Sequence, residues 1–206
     1  MPATECTAVV LAAPLELGLQ RLSLHSPGPE DVLVDVHWSG ISTGTEKLLY
    51  LGEMPPFPGL GYPLVPGYEA VGEVSWAGPD AEVPAGTRVF VPGANCFDAA
   101  RGLFGASASQ LVVPGERVVP VSAELGSNAL LIALAATAEH ALSICLSRGT
   151  LPELIVGHGT VGRLLARLCL AHGAAKPPVV WEKSPERRSG AEGYEVVSPE
   201  DDTGTY

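Results

Sequence analysis

The chain has 206 residues, a formal net charge of −11, and 46% hydrophobic against 17% charged residues. This balance is typical of a globular protein with one large or two small domains. The negative charge argues against a nucleic-acid partner, because phosphate backbones are bound by basic surfaces. The four cysteines lack metal-ligand spacing and suggest no disulfide framework, so we predict a reduced, cytoplasmic location.

The first 126 residues are rich in turn-forming residues, since most of the 19 prolines and 24 glycines lie before residue 120. Short apolar runs separated by such turns predict a compact, barrel-like β domain. In the third run, Val32, Val34, Val36 and Trp38 alternate and are expected to share one face. Strands are predicted over 8–12, 19–24, 32–38, 70–74, 89–91, 110–113 and 118–121, with a short helix over 45–51.

A long apolar segment, residues 129–146, predicts a buried helix that joins two domains. Glu139 and His140 lie in its middle, where they would be costly in lipid, so we expect no stable membrane insertion. His140 itself is expected to be a core histidine. Helix, strand, glycine-rich turn, helix and strand then follow in order, which predicts an α/β domain over residues 127–206.

The most informative segment is the glycine turn at residues 157–162. An apolar strand over 154–156 runs into Gly157-His158-Gly159-Thr160-Val161-Gly162, a G-x-G-x-x-G pattern, and an amphipathic helix follows. In a dinucleotide fold the first glycine permits the tight turn, the second lets backbone approach the pyrophosphate, and the third lets the helix pack closely. His158 is expected to serve the cofactor through its backbone, and the helix N-terminus to face the phosphates.

Cofactor choice follows from the end of the second apolar strand, over 179–181. Glu182 follows this strand directly, where a carboxylate binds ribose hydroxyls and would repel a 2′-phosphate, which favours NAD over NADP. Lys183, a further candidate cofactor contact, weakens that preference together with Arg187 and Arg188, although all three cations are also explained as solvated charges.

The dinucleotide domain is predicted to be incomplete. A complete one has two βαβαβ halves, whereas residues 154–206 accommodate two strands and a third near 194–197. We therefore expect a truncated chain that is inactive by itself. Its unpaired sheet edge is a route to a homodimer.

Several segments in the same order resemble the medium-chain dehydrogenase/reductase superfamily, whose catalytic domain is GroES-like. The resemblance implies a GroES-like β-barrel domain followed by a Rossmann-type domain, and it makes Thr137 a candidate cofactor contact. The segments are SGISTGTE (39–46), PGYEAVGEV (66–74), AGTRV (85–89), ASASQLVVP (106–114), TAEHAL (137–142) and the glycine turn.

Residues 38–68, 89–105 and 154–168 are similar to the branch of this superfamily that acts in bacteriochlorophyll a biosynthesis. This likeness implies NAD-dependent oxidation of the C3 1-hydroxyethyl group of a (bacterio)chlorophyllide, a tetrapyrrole, to an acetyl group. Two alternatives stay open: a zinc-free NADPH-dependent quinone or enone reductase, and a pigment-binding module without catalysis.

The chain departs from the zinc alcohol dehydrogenases of the superfamily at their metal-binding positions. Ser42, Tyr68 and Ala133 match the catalytic zinc ligands, and zinc prefers thiolate or imidazole to such groups. Only Cys96 lies where the cysteine-rich structural zinc lobe would be. We therefore predict no metal, catalytic or structural.

Without zinc, the proton of the alcohol must leave through side chains. We expect Ser42, Thr43 or Tyr68 to hydrogen-bond the substrate hydroxyl, and Glu46 or Glu69 to accept the proton. Each has a structural alternative: turn bonding for Ser42 and Thr43, core packing for Tyr68, helix flanking for Glu46, and a backbone or arginine partner for Glu69. Residues 54–63 (MPPFPGLGYP) are expected to form a cleft wall or a proline-stiffened surface loop.

Overall fold

A computed structural model describes residues 5–206 of the chain. The chain divides into two compact units, of which the first ends at Leu130 and the second runs from Leu131 to Tyr206. The sequence-based boundary at 126–127 lies close to this division. Each unit has a hydrophobic core of its own.

The first unit is built from two sheets. One has the strand order β2-β1-β4-β7 and the other β8-β3-β5-β6-β9. Every strand predicted here is present, whereas the two-residue strands β4 and β7 are too short to leave a sequence pattern. The bounds are β1 Glu5–Ala13, β2 Glu16–Ser23, β3 Asp31–Ser39, β4 Leu64–Val65, β5 Ala70–Ala77, β6 Arg88–Val91, β7 Arg101–Gly102, β8 Gln110–Pro114 and β9 Val119–Pro120, with helix α1 at Thr45–Leu51.

The predicted alternation along β3 is wrong in its second half. Val32 and Val34 are fully buried, but Leu33 between them is buried too, and Trp38 is 39% exposed. The pairing of β3 with β5 shifts register between Leu33 and Val34 and again between Val36 and Trp38. Such irregularities break the two-residue period, because they re-aim the side chains that follow. The end of β3 is thereby directed toward the segment that precedes α1.

The second unit contains a three-stranded parallel sheet. Its order is β10-β11-β12 (Leu154–Val156, Val179–Trp181, Glu195–Val197), so all three predicted strands are present. Helix α3, Thr160–Ala171, connects β10 to β11, as parallel strands require. Helix α2, Ile132–Leu146, packs against α3, and the core is made of Leu142, Ile155, Ala166, Cys169, Val180 and Tyr194.

The prediction of a buried apolar helix over residues 129–146 is wrong, and the observed helical stretch runs over 123–146. Within the described chain only Ala129, Ala138 and Leu142 of this stretch are buried, and Ile144 is 46% exposed. By length and composition the stretch is the one helix among residues 5–206 that qualifies as a membrane span. Its first part is 3-10 helix and is interrupted at Gly126, whose backbone is not helical.

His140 lies on the exposed side of α2, so the prediction of a core histidine is also wrong. The sequence pattern shows that the segment is apolar all round. It does not show which side α3 covers, and the covered side is the one that carries Ala138 and Leu142.

Candidate functional site

The first unit contains an apolar cavity of about 540 Å³. Two of its lining residues, Met54 and Phe57, belong to the proline-rich segment, which therefore does form a wall. Tyr68 and Phe104 meet edge to face, with ring centroids 5.8 Å apart. The remaining lining residues are Thr45, Leu49, Pro92 and Leu103. The only hydroxyl side chains in the wall are those of Thr45 and Tyr68.

Tyr68 and Glu69 are consecutive in the chain, but their side chains lie in different surroundings. Tyr68 lines the cavity, whereas Glu69 is 8% exposed and its carboxylate reaches Gly40. A Cβ at Gly40 would overlap Oε2 of Glu69, and the Gly40 N–H donates to the Glu69 carbonyl oxygen over 2.7 Å. Burial raises the pKa of Glu69 above its usual value. Within residues 5–206 no hydrogen bond or ion pair of this carboxylate is recorded, so the arginine or backbone partner expected for it is not formed.

Thr45 and Glu46, at the start of α1, also point to different surroundings from consecutive positions. Thr45 lines the large cavity, while Glu46 lines a second, apolar pocket of about 120 Å³ together with Ser39 and Ile41. Oε2 of Glu46 is buried without a hydrogen-bond partner among the described residues. Burial raises the pKa of Glu46, and the negative charge of Glu69 raises it further. Two of the predicted acids thus lie within electrostatic reach of each other.

Ser42 and Thr43 do not line either pocket. The Ser42 hydroxyl accepts from the Thr45 N–H over 3.4 Å, and its carbonyl accepts from the Glu46 N–H over 3.1 Å. These bonds are those of a residue that organises the start of a helix, which favours the turn-bonding interpretation of Ser42. Thr43 is exposed.

The residues present do not suit zinc. Among residues 5–206 no group of three or more His, Cys, Asp or Glu side chains converges on a metal position. Cys96 is buried, and this burial raises its pKa to about 12. Ser42 and Tyr68, at two positions of the superfamily's catalytic zinc ligands, offer only hydroxyls.

In the second unit, the glycine turn has the geometry that its pattern predicts. Gly157 has a φ of 98°, which a side chain would strain. A Cβ at Gly162 would overlap the Gly157 carbonyl oxygen, so the third glycine lets α3 start against the turn. A Cβ at Gly159 would meet nothing within 4 Å. Open space next to the second glycine is what a pyrophosphate needs.

Thr160 and Val161 are exposed and begin α3, and the first backbone bond of this helix runs from the Arg163 N–H to the Gly159 carbonyl over 2.9 Å. The N–H groups that precede Arg163 have no partner in the helix, as at any helix N-terminus. They point out of the end that carries the positive pole of the helix dipole.

Glu182 lies directly beside this turn. Its carboxylate accepts from the N–H of His158 over 3.0 Å and from the N–H of Ser184 over 2.8 Å. The Ser184 and then the His158 hydrogen bond lower the pKa of Glu182, so it carries a negative charge at neutral pH. A fixed negative charge therefore lies at the end of β11, where the sequence places the ribose-binding acid.

The remaining cofactor candidates differ in their surroundings. Lys183 is exposed, and Thr137 is exposed with its hydroxyl donating to the Ala133 carbonyl over 3.0 Å. Arg188 is bound to backbone, because its guanidinium donates to the carbonyls of Glu182 and Lys183 over 2.7 and 2.8 Å.

Three side chains contribute to this region without a signal in the sequence pattern, namely those of His158, Arg163 and Tyr194. The His158 ring is 1% exposed and contacts Tyr194, and Arg163 binds several backbone carbonyls. In the cavity, Leu49 and Leu103 were also not foreseen. The apolar periodicity of α3 marks Arg163 only as a polar position, so no local signal shows that its side chain reaches another loop.

The architecture is a two-sheet β unit followed by a parallel α/β unit that carries a glycine turn. Residues 28–123 match the family of the alcohol dehydrogenase GroES-like domain. Over this range the chain is similar to that domain family.

Two curated relatives are named 2-desacetyl-2-hydroxyethyl bacteriochlorophyllide A dehydrogenase. The one from Cereibacter sphaeroides is 58% identical over 201 residues, which are 95% of this chain and 62% of the relative. The one from Rhodobacter capsulatus is 55% identical over 96% of this chain and 62% of the relative. The chain thus spans less than two thirds of the length of these relatives.

Solved structures share the fold at low identity. One is a protein from Sinorhizobium meliloti, described as a zinc-binding dehydrogenase and bound to NADP, with a TM-score of 0.75 at 20% identity. The match covers 97% of this chain and 63% of the Sinorhizobium meliloti chain. An alcohol dehydrogenase from Escherichia coli, complexed with NADH, has a TM-score of 0.75 at 20% identity. The match covers 97% of this chain and 64% of the Escherichia coli chain.

Proposed function

We propose that this chain provides the substrate cavity and the glycine turn of an alcohol dehydrogenase that oxidises the C3 1-hydroxyethyl group of a (bacterio)chlorophyllide to an acetyl group. One observation carries the geometry: an apolar, aromatic-lined cavity of about 540 Å³ with two hydroxyl groups in its wall. The volume lies in the range of small-molecule sites. The relatives' common name supports the substrate class.

The cavity suits the edge of a flat apolar ring. Phe57, Tyr68 and Phe104 offer aromatic surface, and Met54 is an adaptable apolar side chain beside them. A secondary alcohol at that edge would place its hydroxyl near Thr45 or Tyr68. Each of these two hydroxyls can accept a hydrogen bond from the O–H of the alcohol. Each can also donate a hydrogen bond to the alcohol oxygen as negative charge develops on it.

The proton leaves toward the carboxylates behind this wall. A bound alcohol would give its carbinol hydride to the nicotinamide, and its O–H proton would pass through the Tyr68 or Thr45 hydroxyl and a bridging water to Glu69 or Glu46. An ordinary glutamate is a weak base, and burial makes these two stronger proton acceptors. Glu46 and Glu69 follow Thr45 and Tyr68 directly in the chain and lie within electrostatic reach of each other, which supports this route.

A nicotinamide dinucleotide is the proposed cofactor, with NAD preferred. It supplies the hydride acceptor. Gly157, Gly159 and Gly162 suit its pyrophosphate by their geometry, and the charged Glu182 suits ribose hydroxyls better than a 2′-phosphate. Because Ser42 and Tyr68 offer hydroxyls where zinc prefers thiolate or imidazole, the proposal is independent of zinc.

A chimera tests the proposal directly. The aligned portion of the Cereibacter sphaeroides relative is replaced by this chain, and NADH formation is followed with a hydroxyethyl-bearing bacteriochlorophyllide, with and without a chelator. The unmodified relative and this chain alone are assayed beside it. We expect chelator-resistant turnover by the chimera, a preference for NAD over NADP, and no turnover by this chain alone.

Tyr68→Phe in the chimera is expected to lower kcat about 100-fold or more if the hydroxyl stabilises the developing alkoxide. Activity only with NADPH and an enone or quinone would replace the proposal by the reductase alternative. Pigment binding without turnover would replace it by the binding-module alternative.

A further inference from the structure

The glycine turn is tied to a second loop by three side chains. His158 lies in the turn, Arg163 one turn into α3, and Tyr194 immediately before β12. We call these three residues the turn latch. They connect residues 157–162 to the 185–190 loop, which follows Glu182 and carries Arg187 and Arg188.

The His158 ring is bonded on both sides. Nδ1 lies 2.6 Å from the Arg187 carbonyl oxygen and Nε2 lies 2.8 Å from the Tyr194 hydroxyl. A carbonyl can only accept, so in the neutral ring Nδ1 carries the hydrogen and Nε2 accepts from Tyr194. The ring is 1% exposed and Tyr194 is 9% exposed, so the bond between them is buried, whereas the bond to the Arg187 carbonyl is partly buried. Breaking either leaves a buried polar group unpaired.

Arg163 fastens the same loop from outside. Its Nε donates to the His158 carbonyl over 3.1 Å, and its NH2 group donates to the Arg187 and Ser189 carbonyls over 3.1 and 2.9 Å. A longer bond joins its NH1 group to the Gly190 carbonyl over 3.4 Å. One planar guanidinium thus binds four backbone carbonyls, one in the turn and three in the loop, a geometry that lysine cannot reproduce.

The latch decides where positive charge can lie around the ribose. The Arg163 guanidinium donates its hydrogen bonds to backbone carbonyls, and the Arg188 guanidinium donates to the carbonyls of Glu182 and Lys183. Glu182 meanwhile is fixed by N–H donors from the turn and from Ser184. The Glu182 carboxylate is therefore fixed beside the turn, while two nearby guanidiniums are directed to backbone.

We propose that Arg163, His158 and Tyr194 are positioning residues for cofactor choice: they hold the 185–190 loop so that Glu182, and not a cation, faces the ribose 2′ position. The inference rests on the proposed use of a nicotinamide dinucleotide. It assigns a role to two residues outside the glycine pattern, and it makes the preference for NAD a property of loop geometry as well as of Glu182.

The test compares Arg163→Gln with Arg167→Gln in this chain. Arg167 lies on the same helix and is 51% exposed, with only a 4.0 Å contact to Glu192, so it is a matched control. Dissociation constants for NAD and for NADP are measured by calorimetry. We expect the ratio of NAD to NADP affinity to fall about tenfold in Arg163→Gln, a change of ~1.4 kcal/mol. The ratio should stay within about twofold in Arg167→Gln.

Equal weakening of both dinucleotides by Arg163→Gln would show a merely structural role and overturn the proposal. A wild-type chain that binds neither dinucleotide, or binds both equally, would overturn the specificity role as well. Hydrogen exchange in the absence of cofactor separates the latch from the proposed function. Residues 157–162 and 185–190 should exchange faster together in Arg163→Gln and in Tyr194→Phe, and unchanged exchange would overturn the latch itself.

Discussion

The glycine turn of the second unit and the cavity of the first are built in opposite ways. The backbone path of the turn is set within six consecutive residues, by the conformation of Gly157 and the tight contact of Gly162. The cavity wall comes from α1, the proline-rich segment, Tyr68 and residues 92–104. A backbone site can thus be encoded locally, whereas a side-chain site depends on the packing of the whole unit.

The same contrast applies to the acids. Glu182 is charged because two backbone N–H groups donate to it, and both come from neighbouring turns. Glu46 and Glu69 lie in buried surroundings that raise their pKa values. A carboxylate at a turn serves binding by its charge, while a buried one serves proton transfer by its readiness to be neutral.

The contrast between the turn and the cavity can be tested by substitution, and the largest loss of stability is expected at Leu49. It lines the cavity, is 1% exposed, and packs with Leu11, Leu64 and Leu103. Leu49→Ala should lower the free energy of unfolding by ~2–5 kcal/mol, because a cavity-wall residue is also a core residue. Urea unfolding measures this, with the exposed Leu48→Ala as control. Equal losses in both variants would contradict the assignment of Leu49 to the core.

A smaller loss is expected from the third glycine of the turn. In Gly162→Ala the added methyl meets the Gly157 carbonyl, which cannot move without opening the turn, so unfolding should be easier by about 1–3 kcal/mol.

Gly159→Ala is the matched variant, because its φ of −75° and the open space around it accept a methyl. It should keep its stability and lose dinucleotide affinity, as shown by thermal unfolding and by calorimetry. Unimpaired binding by Gly159→Ala would argue against the pyrophosphate position.

The smallest effect concerns Glu69 and pH. Burial raises its folded pKa, so the folded protein holds the proton more tightly than the unfolded chain. The contribution of Glu69 to stability is therefore fully present below the ordinary pKa of 4.5 and is lost as the pH rises through the folded pKa. Glu69→Gln should show a shallower fall toward neutral pH, measured by urea unfolding across that window. Exposed Glu16→Gln should follow the wild type, and a wild-type slope in Glu69→Gln would exclude a buried ionisable role.

The sequence by itself determined the order of elements and the backbone chemistry of the turn. Apolar runs and turn residues place the longer strands, and G-x-G-x-x-G followed by Glu182 identifies the dinucleotide-type turn, since strand period, glycine conformation and short loops act within a few residues. Such interactions are local, so the residues involved are neighbours in the sequence.

Only the tertiary structure decided which side chains meet. It turned Thr45 and Tyr68 toward the cavity and Glu46 and Glu69 away from it, shifted the register of β3, exposed His140, and brought Arg163 to the 185–190 loop. Each outcome depends on contacts between residues far apart in the chain. Burial and hydrogen bonding are then set by packing, which no local pattern contains.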